Sequence, residues 1–320
     1  MRRRSFLLAG AAWPVVGTAS APWPKAPLHI VVPQAAGGTA DVLARMLGER
    51  LQARLGVAVV VDNRPGANGL IGTDLVKRAA PDGCTLLLAS TATHAMAPHV
   101  SPSSTFDPVR DFASVVNVAW QTKVAIVNPA VPATTLREFI AYARARPGQL
   151  NYASTGVGST SHVDTELLTA ATGINLVHIP YRGSGFSVAA LVTGEVQLLI
   201  ASVTAAIGAI QAGQARALAV LSERRTMLLP QVPTLGEAGI AAPDVRTWLG
   251  LVAPAQTSPA IVTSLNRMVD RELSDPALST WLQQEGLEPI GGTPETFAAT
   301  IRADVERWGG IVRRLGVQPA

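Results

Sequence analysis

The chain has 320 residues, 48% of them hydrophobic and 15% charged, with a formal net charge of +4. Three of its 26 basic residues, Arg2, Arg3 and Arg4, sit at the very start, and without them 23 basic residues face 22 acidic ones. That near-neutral remainder carries no lysine or arginine block and no aromatic-basic interleaving, which excludes a nucleic-acid partner.

The three arginines precede an apolar run from Phe6 to Val16 and the small residues Ala19, Ser20 and Ala21, the pattern of a secretory signal peptide over residues 1–21. Cleavage after Ala19 or after Ala21 stays open, with Pro22 disfavouring the second. Arg3 and Arg4 followed by Phe6 and Leu7 also resemble a twin-arginine signal, so the export route stays open too. No later apolar stretch reaches the ~20 residues that a membrane span needs. The mature chain is therefore expected in the periplasm, as a soluble monomer. Length alone points to two domains, because single cores tend to split beyond ~250 residues. The lone Cys84 has no internal disulfide partner and reads as a half-buried strand residue in CTLLLA.

From Leu28 the pattern runs strand LHIVVP, helix 40–55 stopped by Gly56, strand VAVVVDN, helix 71–80, strand CTLLLA. This βαβαβ order predicts an α/β lobe with a largely parallel sheet. In the first helix Val42, Leu43, Met46, Leu47 and Leu51 line one face at three- and four-residue spacing, which is a core face. A second series opens with VVNVAWQTKVAIVNPA. It continues through helix 136–146, strand LNYAS, helix 161–172, strand NLVHIP, helix 186–192, then VQLLIA, ARALAVLS and TWLGLVAP. The C-terminal segment is helical, with Thr293 as N-cap, Pro294 in the first helical position and Phe297, Ile301, Val305, Trp308 and Ile311 along one face. With at most one short strand of its own, it is expected to pack back on the first series. Lobe 1 would then comprise residues 27–124 and 250–320, and lobe 2 residues 125–249. A chain that crosses twice between lobes makes a hinge.

Three stretches stand out as candidate ligand contacts. The turn at 33–41 holds Gln34, Gly37, Gly38, Thr39 and Asp41 between a strand and a helix start, where unpaired N–H groups favour an anion. The loop at 151–162 repeats the device with Thr155, Gly156, Gly158, Ser159 and His162, and Ser161 with Asp164 three residues on imitates a capping box. Thr91, Thr93 and His94 follow a strand at the carboxyl end where open α/β sheets bind ligands. Opposed helix starts from two lobes would hold a carboxylate and close around it. For each stretch an ordinary turn or a helix cap is the plainer alternative.

GGTAD in the first loop, DNRPGANG at 62–69, APDG at 80–83, STGVGSTSH in the second loop, PYRG at 180–183 and LPQVPTLGEAG at 229–239 occur in one order along nearly the whole mature chain. That ordered set resembles the receptor proteins of tripartite tricarboxylate transporters. The resemblance implies a two-lobed periplasmic-binding-protein (type II-like) fold with a ligand cleft between the lobes, a small organic carboxylate as ligand, and membrane transporter subunits as partner. It places ligand loops at 34–41 and 155–162, and adds Ala201 and Ser202 at a strand end. Three positions depart from the family pattern. Gln34 replaces an aromatic residue, Cys84 a tyrosine and Ala201 a frequent aspartate, so the ligand's identity stays open.

Catalysis has little to stand on. A nucleophile needs a base that is itself oriented, and the segment 158–162 has no GxSxG elbow. No HxxxH, HxxE or cysteine cluster marks a metal site, and no cofactor motif appears. The alternatives to a transport receptor are a solute-sensing protein for a sensor ectodomain, or a cleft enzyme such as a small-molecule transferase.

Overall fold

The computed structural model describes residues 23–101, 104–241 and 245–317; the expected signal peptide lies outside them. The chain begins with β1 (Leu28–Val32), α1 (Thr39–Leu55), β2 (Val59–Asn63), α2 (Leu70–Lys77) and β3 (Thr85–Ser90). Leu43, Ala44, Leu47 and Leu51 of α1 are fully buried, as their spacing requires, and Gly56 ends the helix in left-handed backbone with its N–H on the Gln52 carbonyl. A helical turn at Thr91–Met96 and α3 (Ala97–Val100) then lead to β4 (Phe112–Gln121).

The long apolar run at 112–127 is two strands. It breaks at Thr122, after which β5 (Lys123–Val127) belongs to a different sheet. That second sheet is completed by α4 (Leu136–Arg144), β6 (Asn151–Ser154), α5 (Thr160–Thr172), β7 (Val177–Pro180), α6 (Ser184–Thr193), β8 (Leu198–Ser202), α7 (Val203–Gln211) and β9 (Arg216–Val220), with strand order β7-β6-β8-β5-β9. The chain returns with β10 (Thr247–Pro254), followed by α8 (Pro259–Leu273), α9 (Pro276–Gln284), β11 (Leu287–Pro289) and α10 (Pro294–Leu315).

The first sheet has the order β11-β4-β10-β3-β1-β2. Only β1, β2 and β3 pair in parallel; β10 runs antiparallel to both β3 and β4, and β11 antiparallel to β4. The expectation of a largely parallel sheet is corrected here. A strand returning from the other lobe enters at the cleft edge, where Thr247 and Leu249 stand beside Gln121 and Ser90, and so runs opposite to strands that leave toward it.

Helix α10 ties the halves together. Its Phe297 and Ile301 pack with Trp248, while Trp308 and Ile311 enter the core around Phe139, Tyr152 and Leu218. Gly250 of β10 makes room for the first contact, since any Cβ there would overlap the Phe297 ring. The Asp304 carboxylate accepts the Trp248 Nε1–H at 2.8 Å, satisfying a buried indole. Among the described residues no helix is long and apolar enough to cross a membrane.

Candidate ligand cleft

The carboxyl ends of β1 and β3 meet through Gln34 and Ser90, the start of α1 meets that of α7, and the loop before α5 meets Asn68 ahead of α2. In the first loop Gly37 takes left-handed backbone (φ 79) and donates its N–H to the Asp41 carboxylate at 2.9 Å, while Arg45 pairs with the other oxygen at 2.9 Å. Burial pushes the Asp41 carboxyl up, but Gly37, Arg45 and Asn63 together hold it below its ordinary value. Asp41 thus shapes the loop from behind. Gln34 donates from Nε2 to Ser90 Oγ at 3.4 Å, and its main-chain carbonyl accepts from Asn63 Nδ2 at 3.2 Å. Its Oε1 is buried with no partner among the described residues.

Thr39 is the first residue of α1, and its Oγ1 lies 3.4 Å from Ser202 Oγ of the second sheet. Ser202 caps α7 by accepting the Ala205 N–H at 3.3 Å, with Ala201 buried behind it at the end of β8. Two helix starts from different lobes therefore meet hydroxyl to hydroxyl.

The cap of α5 is Ser159, which accepts the His162 N–H at 3.3 Å; the expected Ser161–Asp164 capping box does not form. Ser161 Oγ instead accepts the Thr155 N–H at 3.0 Å and lies 3.1 Å from Ser159 Oγ. Gly158 (φ 72) donates its N–H to His162 Nδ1 at 3.0 Å, which places the proton of the neutral imidazole on Nε2. That ring stacks on His178 at 4.0 Å with 7° between planes, and His178 stacks on Tyr152 at 4.9 Å. His178 Nε2 is 2.6 Å from Ser154 Oγ, and Tyr152 donates to Glu166. Burial, with the His162 ring beside it, brings His178 down to about 4; burial likewise lowers His162 against the opposing pull of Glu166. Both rings stay neutral at ordinary pH, so His162 remains an acceptor that shapes the loop.

Asp164 turns into the interior instead and forms an ion pair with Lys123, both side chains nearly fully buried. Burial raises the Asp164 carboxyl despite the attraction of Lys123 and Arg307. Lys123 opens β5, one residue past the crossing, and the Thr122 carbonyl accepts the Val203 N–H at 3.0 Å. The crossing strand is thereby fastened to the starts of both α5 and α7.

Thr91, Thr93 and His94 do not line the cleft. All three are fully buried: Thr91 Oγ1 accepts the Trp248 main-chain N–H at 2.9 Å, and Thr93 completes a capping box with Ser90. His94 packs among Phe112, Phe106 and Trp248, with ring centroids 4.8, 5.9 and 6.3 Å away, and burial brings it down to about 3. The helical turn at Thr91–Met96 directs these side chains inward, leaving Ser90 as the group that reaches Gln34. Sequence reasoning passed over Asn68 and Lys123 as contributors to the cleft. Only Asn68 had a signal, the Asn-Gly dipeptide of a tight turn.

A cavity of about 360 Å³, lined by Pro129, Ile210, Arg216, Leu229 and Val232 among others, shares no residue with these loops. Arg216 already donates to the Val131 and Ala133 carbonyls, so convergent polar chemistry belongs to the cleft.

Residues 43–317 match the tripartite tricarboxylate transporter family receptor. The chain is 37% identical over 311 residues to Protein BugT of Bordetella pertussis, covering 97% of this chain and 94% of that one. Among solved structures, R. palustris Rpa4515 with adipate aligns with a TM-score of 0.89 at 34% identity, covering 93% of this chain and 100% of that one. MatC from Rhodopseudomonas palustris with bound malate aligns with a TM-score of 0.83 at 30% identity, covering 91% and 100%. With its two-sheet architecture and its paired loops, the chain belongs to the tripartite tricarboxylate transporter receptor family and is a solute-binding receptor.

Proposed function

We propose that this receptor works in the periplasm, closing on a small organic carboxylate without an amino group and handing it to the membrane components of a tripartite transporter. Residues 1–21 serve as its export signal. The observation that carries the reading is the approach of Thr39 and Ser202 to 3.4 Å, two hydroxyls on helix starts of different lobes. Helix starts and hydroxyls are donors, and an anion that touches both lobes favours their closed arrangement. The lobes in this reading are residues 27–121 with 247–317, and 123–245, whose segment after β9 packs Leu221, Leu229, Val232, Leu235 and Val245 into the second lobe's cores; they join at Thr122 and Arg246.

Donor accounting narrows the contact set. The N–H groups of Gly37, Thr155, Gly156, Gly158 and Ser159 all have internal partners. The first-turn amides of α1 and α5, with the hydroxyls of Thr39, Thr155, Ser159 and Ser202 and the Gln34 amide, are then the groups that meet the solute. An ammonium group would need an available carboxylate. Asp41 is engaged by Gly37 and Arg45, Asp164 by Lys123, and Ala201 offers none. Adipate and malate, held by the two relatives, are amine-free dicarboxylates.

The test is a thermal-shift screen of the mature protein against adipate, malate, other di- and tricarboxylates, aromatic acids and amino acids, followed by calorimetry on the hits. Plain carboxylates should stabilise the protein most. Stabilisation by amino acids alone would overturn the reading.

A further inference from the structure

The turn Ala67–Gly69, between β2 and α2, places two successive non-glycine residues in left-handed backbone: Ala67 at φ 47 and Asn68 at φ 55. Such conformations are disfavoured for residues with a Cβ, Asn being among the most tolerant, so they persist where surroundings hold them. Here Gly69 is wedged against Pro33 and Thr93, which seats the turn on the first lobe. The conformation carries the Asn68 side chain out of its own lobe. Its Nδ2 donates to the Val157 carbonyl at 3.1 Å, at the crest of the arch between Gly156 (φ 130) and Gly158 (φ 72). The arch fits closely, because a Cβ on Gly158 would stand 3.0 Å from Val100 Cβ and 3.6 Å from Asn68 Nδ2.

The peptide unit joining Val157 to Gly158 is therefore clamped from both sides. The first lobe holds its oxygen through Asn68, and the second lobe holds its N–H through His162 Nδ1 at 3.0 Å. The Thr39–Ser202 contact also spans the cleft, but its hydroxyls are ones a carboxylate would compete for. A carboxylate only accepts hydrogen bonds, so it has no use for the Val157 carbonyl, and the Asn68 bond can persist with solute bound.

We infer that Asn68 is an interlobe latch, a positioning residue that sets the closed-to-open balance by holding the Val157 carbonyl. The inference rests on reading the cleft as the solute site, but the measurement that tests it needs no solute. Spin labels on E49C and A170C, exposed positions on α1 and α5, report the interlobe distance by pulsed electron resonance in exhaustively dialysed protein carrying C84S.

N68G keeps a residue at ease in left-handed backbone and removes only the side chain. It should lower the closed-to-open ratio about three- to tenfold, the range for one net hydrogen bond. N68D, which sets a carboxylate against a carbonyl oxygen, should open the lobes further. Distance distributions that superimpose on the parent in both variants overturn the latch. Unchanged distances with weaker adipate or malate binding overturn it as well, and would make Asn68 a solute contact. Shifted distances in a protein that binds no carboxylate would uphold the latch while overturning the carboxylate reading.

Discussion

Gly158 and Gly37 both lie in left-handed backbone, yet they differ in what surrounds them. Nothing stands within 4 Å of a Cβ built on Gly37, whereas one on Gly158 meets Val100 at 3.0 Å across the lobe boundary. Gly37→Val therefore carries only the conformational penalty of ~1–2 kcal/mol, while Gly158→Val adds a wedge between the lobes. Calorimetry on a carboxylate identified by the screen should show binding weakened about tenfold in the first and lost in the second; equal losses would mean the arch is not a closing surface. Lys123 and Asp164 pose a different residue problem. Removing one member of a buried ion pair strands the other charge, so Lys123→Met should cost about 3–5 kcal/mol in urea unfolding, whereas the double variant K123M/D164L should recover most of it. A double variant as unstable as the single one would place the loss in packing.

The caps separate what an element needs from what the cleft needs. Thr135 forms a complete capping box with Glu138 at the start of α4, and Ser159 caps α5 beside the glycine arch. Replacing either by Ala should cost ~1 kcal/mol of stability. Solute affinity should fall only for Ser159→Ala, and a matching fall for Thr135→Ala, read by calorimetry, would show that caps act through global stability. Much at this scale was legible in the sequence, because helix periodicity and stop signals are local; α1 and α5 each start one residue before the expected position and end where Gly56 and Gly173 required. What stayed hidden was settled by distant partners. The spacing of Ser161 and Asp164 imitates a cap, but Lys123, 41 positions earlier, claims the acid. The inward turn of Thr91 and His94 depends on Trp248, which joins them only when β10 arrives. Helix α7, VTAAIGAIQ, went unseen because it carries no charge and follows β8 directly, so the apolar run of the strand continues into it without a turn signal.

Across the whole molecule, buried imidazoles set the response to acid. His94 at about 3 and His178 at about 4 lie below the ordinary 6.5, and His162 is lowered as well. A base with a depressed native pKa binds fewer protons folded than unfolded, so its stabilising contribution is present above 6.5 and is lost as pH falls toward the native value. Urea midpoints should therefore fall steadily from pH 6.5 to 4.5, and His178→Gln should make that fall shallower; a parent midpoint flat across the window would contradict the assignment. The place of β10 bears on time as well as on form. It is an inner strand of the first sheet, between β3 and β4, yet more than a hundred residues separate it in the chain from either neighbour, while β5 to β9 occupy one unbroken stretch. Long-range pairings close slowly, and a polypeptide delivered N-terminus first presents the material for β1, β2 and β3 long before the strand that completes their sheet. The lobe encoded in the middle of the chain can thus mature first and act as a template for the one whose halves flank it. Pulsed hydrogen exchange during refolding should show amide protection in β5, β6 and β8 ahead of β3 and β10, and the reverse order would mean that the split sheet assembles without waiting for its insert.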